Sequence, residues 1–96
     1  MARIVRLTLR FRERMTPCGV RSGSPESAAI GATLAHLSDA ATLPGMLDAI
    51  AVVPPTGQAL VRRVPGRNLW PWFQVDGDDE VVRVVNLTRT PPVPRA

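Results

Sequence analysis

Arginine is the chemically active side chain that this sequence supplies in quantity. All twelve basic residues are arginine; there is no lysine and no tyrosine, and there is one histidine, His36, and one cysteine, Cys18. A guanidinium stays protonated at physiological pH. It clamps phosphates and carboxylates through paired N–H donors but shuttles protons poorly. A lone histidine and a lone cysteine provide no zinc-ligand spacing and no intramolecular disulfide. A reducing compartment is the simplest home for such a chain. No metal and no cofactor is implied, and no catalytic residue can be named. The net charge of +4 favours nucleic acid or an acidic polypeptide as partner, through a field that salt screens over about 8–10 Å. Exclusive use of arginine also fits a GC-rich coding sequence without selection for guanidinium chemistry.

The arginines fall into two groups, and the elements that carry them can be read from periodicity. From Ile4 to Arg14 the period is two: Val5, Leu7, Leu9 and Phe11 alternate with Arg6, Thr8, Arg10 and Arg12. That pattern predicts a strand with one buried face and a row of guanidinium groups about 6–7 Å apart on the other, a spacing close to that of phosphates along an extended strand. The second group, Arg62, Arg63, Arg67, Arg83 and Arg89, lies in the C-terminal half. Gln58–Val64 reads as a strand closed by Pro65-Gly66. Two further strands follow, Trp70–Phe73 and Val81–Leu87, joined by the acidic turn Asp76-Gly77-Asp78-Asp79-Glu80. Pro71 lacks a ladder N–H, which places the first of these at an edge or at a bulge. Val81–Leu87 is apolar on both faces except at Arg83 and Asn86, the pattern of a strand at the sheet centre. Trp70 and Trp72 are interface candidates by residue type, and core candidates beside Phe73.

Between the two groups, residues 16–23 are turn formers. Ser24-Pro25-Glu26 predicts a helix starting at Pro25, with a serine cap, proline at the first helical position and a carboxylate at the positive end of the dipole. Ile30, Leu34, Leu37 and Ala41 form its apolar stripe, and His36 lies off that stripe. Thr42-Leu43-Pro44-Gly45 breaks the pattern. Residues 46–50 fit either a helical turn leading to a short strand near Val52 or a strand already under way, and the first is the expectation. Pro54-Pro55-Thr56-Gly57 is a turn, and Thr90–Ala96 an extended, polyproline-like tail.

These elements predict an α+β fold: a small, mostly antiparallel sheet of about four strands, with a short helical region after the first. At 96 residues and 45% hydrophobic content, one core and therefore one domain, 1–90, is expected, with 91–96 as tail. Arginines interrupt the N-terminal apolar stretch, and no run approaches the length of a membrane helix. A cytoplasmic protein is expected.

The order strand, helical region, strands, with Phe73-Gln74-Val75-Asp76-Gly77-Asp78 leading to Val81-Val82-Arg83-Val84-Val85 and Arg89, resembles the RelE/ParE superfamily of bacterial toxins. Members typically end in such a hairpin. In the ribosome-dependent nuclease branch, the resemblance implies basic or tyrosine side chains on the last strands that cleave mRNA by acid–base chemistry. Here Arg83 and Arg89 occupy such places, Leu87 stands where a histidine is common, and cleavage would rest on arginines alone. The ParE branch implies a protein that poisons DNA gyrase without cleaving RNA. Both imply an acidic antitoxin as partner, which the net charge suits. Two other readings come from the residues themselves. One is a non-enzymatic protein-binding or oligomerising module using Trp70 and Trp72. The other is a nucleic-acid binder using Arg6, Arg10 and Arg12.

Overall fold

The computed structural model describes residues 3–39, 48–52, 58–76 and 80–91, which form a five-stranded mixed sheet with two helices on one face. The elements are β1 (Ile4–Leu7), α1 (Leu9–Met15), α2 (Pro25–Asp39), β2 (Asp48–Val52), β3 (Gln58–Arg62), β4 (Trp70–Asp76) and β5 (Val81–Thr88). The sheet order is β1-β5-β4-β3-β2. The last four strands form an antiparallel meander, and β1 lies parallel to β5 at one edge.

The N-terminal segment departs from the expected long strand. Its ladder with β5 runs only from Ile4–Val81 to Leu7–Val84. At Thr8 the chain turns into a helix. The Thr8 hydroxyl donates to the Val84 carbonyl at 2.8 Å and accepts from the Phe11 N–H at 3.3 Å, so one side chain ends the strand and caps α1. Phe11 and Met15, four residues apart on α1, both pack on the core. The period-two pattern of residues 4–11 is thus compatible with both structures, and burial of Phe11 selects the helix. Arg10 and Arg12 ride on α1, so the expected row Arg6/Arg10/Arg12 does not exist as a strand face.

The second helix follows its sequence signals. Ser24 Oγ accepts from Ser27 N at 3.1 Å, Pro25 opens the helix, and Ile30, Leu34 and Leu37 are buried. Its last turn is tied to β1: Arg3 N donates to Ser38 O at 2.9 Å and Ser38 Oγ donates to Arg3 O at 2.7 Å. Ala41, the Thr42–Gly45 break, the Pro54–Gly57 turn, the acidic turn at 77–79 and tail residues 92–96 lie outside the described residues. The expected helical turn before Val52 gives way to strand from Asp48 onward. There Asp48, Ala49 and Ile50 pair with Arg62, Val61 and Leu60, because the cross-strand partners of β3 reach back that far.

The C-terminal hairpin is present, and both of its strands lie inside the sheet, so the first is not at an edge. The middle strand of the sheet is β4, with β5 beside it. Pro71 is buried in that middle strand. It is tolerated because the β3–β4 ladder covers only Leu60–Phe73 and Val61–Trp72 and stops before it. A bulge does occur. Trp72 faces Asn86 while Phe73 faces Val84, which leaves Val85 as the surplus residue on β5. Val82 and Val84 before the bulge and Leu87 after it are fully buried. The surplus residue resets the phase of alternation, so a strand that reads as apolar on both faces sends one set of side chains to the core.

That core is one cluster on the helix-bearing face. Phe11, Cys18, Val20, Ile30, Leu34 and Leu37 from the helical half meet Val64, Leu69, Phe73, Val82, Val84 and Leu87 from the sheet half. Pro65 and Gly66 occupy the centre of a turn, with Gly66 at φ 73° and a bond from Arg67 N to Val64 O. That turn delivers Val64 and Leu69 to the core and leaves Arg63 and Arg67 outside it.

Candidate functional site

The structure sorts the arginines into engaged and outward-facing groups. Arg62 belongs to the fold. Its Nε and Nη2 hold both oxygens of Asp48 at 2.6 and 2.9 Å, and the two side chains are 13% and 0% exposed. A bidentate pair of this kind, nearly removed from water, staples β2 to β3 and offers little to a partner. Arg89 is also engaged. Its Nε donates to the Cys18 carbonyl at 2.6 Å and its Nη2 to Glu26 Oε1 at 3.0 Å, clasping the end of β5 to the loop before α2 and to the start of that helix. The hydrogen bond from Arg89 holds the Glu26 carboxyl below its ordinary range, with the charges of Arg89 and Arg67 acting the same way, while the bond to Glu26 raises Arg89. Arg83 bridges Gln74 Oε1 at 2.9 Å and Asp76 Oδ2 at 3.2 Å, on the surface. The basic surface expected from Arg62, Arg63, Arg67, Arg83 and Arg89 is therefore divided. Arg62 is nearly buried, Arg89 and Arg83 are paired, and Arg63 and Arg67 flank the turn before β4. Among the described residues no carboxylate lies within ion-pair distance of Arg6, Arg10, Arg12, Arg63 or Arg67.

Opposite the helices, the sheet presents a second assembly. Alternation along the strands, phased by buried Phe73, Val82 and Val84, sends Trp70, Trp72, Gln74 and Asp76 of β4 to the face away from the core. The same rule puts Val81 and Arg83 of β5 and Ile4 and Arg6 of β1 on that side. Arg6 sits directly beside Arg83 in the parallel ladder, and Thr88 sits opposite Trp70. Both tryptophans are half-buried and both are oriented. The Arg63 guanidinium lies 5.6 Å from the centre of the Trp70 ring, in cation–π range. It is held there by bonds from Nε to Arg67 O at 2.9 Å and from Nη2 to Asn68 Oδ1 at 3.1 Å. Trp72 Nε1 donates to Thr88 Oγ1 at 3.1 Å, and that hydroxyl donates in turn to Thr90 O at 2.9 Å. The indole of Trp72 is thereby drawn toward the residue that faces Trp70.

Two other features lie at the sheet's margins. Where β3 and β4 diverge beyond their two-residue ladder, Ile50, Leu60, Val75, Gln58 and Gln74 line an open cleft of about 560 Å³, spanned by a bond from Gln74 Nε2 to Gln58 O. Ile4, Leu7 and Leu9 near the β1 edge and Ile50 on the β2 edge are exposed apolar residues.

Sequence reading named Trp70, Trp72, Arg6, Arg63 and Arg83 but distributed them over different hypotheses; the fold gathers them on one face. It missed Thr88 and Asn68, whose roles as side-chain anchors depend on cross-strand and turn geometry. It also missed Glu26 and Asp48 as partners of Arg89 and Arg62. The pairing signal in the second case was available only once β2 had been placed against β3. His36 is exposed on α2. Among the described residues no group of three or more His, Cys, Asp or Glu side chains is arranged to hold a metal ion, and no helix is long and apolar enough to cross a membrane.

The fold and this face define a small α+β protein with an arginine-bearing sheet face that neither described helix covers. No protein-family model, curated protein or solved structure matches the chain.

Proposed function

We propose that the chain is a toxin-like component of a bacterial toxin–antitoxin pair that acts by binding its target, in the manner of the gyrase-directed branch of the RelE/ParE superfamily, and without cleaving RNA. The observation that carries the choice of branch is the state of the two hairpin arginines. Arg83 is paired with Asp76, and Arg89 is clasped by Glu26 and the Cys18 carbonyl. Arginines held this way act as struts, and a guanidinium is in any case a poor general acid or base. The element order, β1, helices, then a C-terminal antiparallel meander ending at Arg89, supports the resemblance itself. An acidic antitoxin is the implied partner, attracted by the net charge of +4.

Expression from a tightly controlled promoter tests this reading. Growth arrest, relieved by co-expression of a small acidic protein encoded beside the gene, is expected. Purified protein should inhibit gyrase supercoiling while leaving ribosome-bound mRNA intact. Normal growth at high expression of folded protein would reject the reading, and mRNA fragments cut at the ribosome would move it to the nuclease branch.

A protein-binding or self-assembling module is the second reading, favoured by the exposed Ile4 on β1 and Ile50 on β2, at opposite edges of the sheet, 58% and 56% accessible. Edge strands with apolar side chains are sites for strand addition. Light scattering coupled to size exclusion separates the cases: a strict monomer without copurifying protein argues against assembly.

A further inference from the structure

We propose that the sheet face left uncovered by the described helices binds single-stranded nucleic acid, with Trp70 and Trp72 as stacking surfaces for bases and Arg6 and Arg63 as phosphate contacts. Proteins that hold single strands combine aromatic rings for stacking with guanidinium groups that follow the backbone. This face has both. Its tryptophans are two positions apart on one strand and so about 6–7 Å apart along it, which suits bases splayed along an extended strand. The rings are also fixed before any ligand arrives. Arg63, anchored on Arg67 O and Asn68 Oδ1, lies over Trp70, and the Thr88–Thr90 relay fixes Trp72 through its Nε1. Ordering costs that binding would otherwise carry are already met in the fold.

Charge selects this occupant over a polypeptide. Among the described residues the face carries Arg6, Arg63 and Arg83 against one paired carboxylate, Asp76. Arg63 uses Nε and Nη2 internally, which leaves its remaining N–H donors for a phosphate. Arg6 stands in register beside the paired Arg83 across β1 and β5, on the β5 side of the tryptophans, and no described carboxylate lies within ion-pair distance of it. An acidic polypeptide would satisfy the arginines but would gain little from two ordered indoles. A single strand engages both.

The test is fluorescence anisotropy of labelled oligo-dT and oligo-U at low ionic strength with the full chain, read alongside quenching of intrinsic tryptophan emission. Both probes should bind and quench. Trp70→Ala and Trp72→Ala should each weaken binding by roughly tenfold, within the range of base-stacking losses. Arg6→Gln/Arg63→Gln, on exposed side chains, should weaken it while leaving the circular dichroism spectrum unchanged. The salt dependence should have a log–log slope of about −1.4, from two phosphate contacts at roughly −0.7 each for a single strand. If the tryptophan variants fail to fold, the arginine pair and the quenching decide. Absence of binding at low salt overturns the proposal, as does binding without quenching. Loss with Arg10→Gln/Arg12→Gln but not with Arg6→Gln/Arg63→Gln places the site on α1 and overturns it as well. A face that instead mediates self-association, seen as dimers abolished by Trp70→Ala with no oligonucleotide binding, also overturns it. None of these outcomes bears on growth arrest or gyrase inhibition, so the two proposals fail separately.

Discussion

Replacing Asp48 by alanine tests whether Arg62 serves the fold or the surface. The Asp48 side chain is fully buried and Arg62 nearly so, with two charge-assisted bonds of 2.6 and 2.9 Å between them. Removing the carboxylate leaves a guanidinium sequestered without its counter-charge, a change that costs about 3–5 kcal/mol. A domain of this size has a total stability of roughly 5–14 kcal/mol, so the loss is a large fraction of the whole. With about 4 °C of melting temperature per kcal/mol at the low end for small domains, the midpoint should fall by at least about 12 °C. Replacing both residues with apolar ones of similar volume, Asp48→Leu/Arg62→Met, should recover most of that loss, because the buried charge is then absent. Thermal and urea unfolding followed by circular dichroism, arranged as a double-mutant cycle, gives the coupling directly. A single-variant cost below about 1 kcal/mol, the value for an exposed pair, would refute the argument and return Arg62 to the basic surface. The functional corollary is that Arg62→Met in the Asp48→Leu background keeps any target binding the protein has.

Three other outcomes follow from the same structure. Because Glu26 is held below its ordinary pKa by Arg89, the clasp contributes stability above the unfolded carboxylate range and loses it as pH falls through the lowered value. Glu26→Gln should therefore flatten the acid limb of a stability–pH curve, and an unchanged acid limb would contradict the clasp. Phe73→Ala, at a fully buried position in the middle strand, should cost about 3–5 kcal/mol in chemical denaturation, and a cost below about 1 kcal/mol would mean the core is not centred there. Deleting Val85 should give a folded protein in which Phe73–Val84 and Trp72–Asn86 become consecutive regular pairs, visible as cross-strand contacts by NMR. Loss of the fold, or an irregularity that persists between Trp72 and Phe73, would mean that Val85 is not the surplus residue of the bulge.

Elements with a local cause were legible in the sequence. The Ser24-Pro25-Glu26 start of α2 and the Ile30/Leu34/Leu37 stripe appear as read, because caps and stripes depend on residues within a turn or two. So do the turn at Pro65-Gly66 and the existence of β3, β4 and β5. The readings that went astray each hinged on a distant partner. Residues 4–14 carry a strand-like alternation throughout, yet only four of them pair with β5. Thr8 bonds to Val84, 76 positions away, and releases the rest as helix. The valine-rich β5 lies inside the sheet as its composition suggests, but the middle place goes to β4, and its apolar residues do not serve both faces: Val85 is an insertion that keeps Val82, Val84 and Leu87 on one side.

The site shows the same division. The sequence by itself determined what the protein has to work with: arginines as its cations, two tryptophans spaced for one strand face, a net charge of +4, and a hairpin that ends at Arg89. Only the tertiary structure decided which of those arginines remain available. Asp48 reaches Arg62 across a ladder, and Glu26 reaches Arg89 across 63 positions of chain. Arg63 meets Trp70 only because the Pro65-Gly66 turn folds the chain back on itself. Residue type fixes the charge of a side chain, but its availability to a ligand depends on which neighbours the chain's return brings within hydrogen-bonding distance.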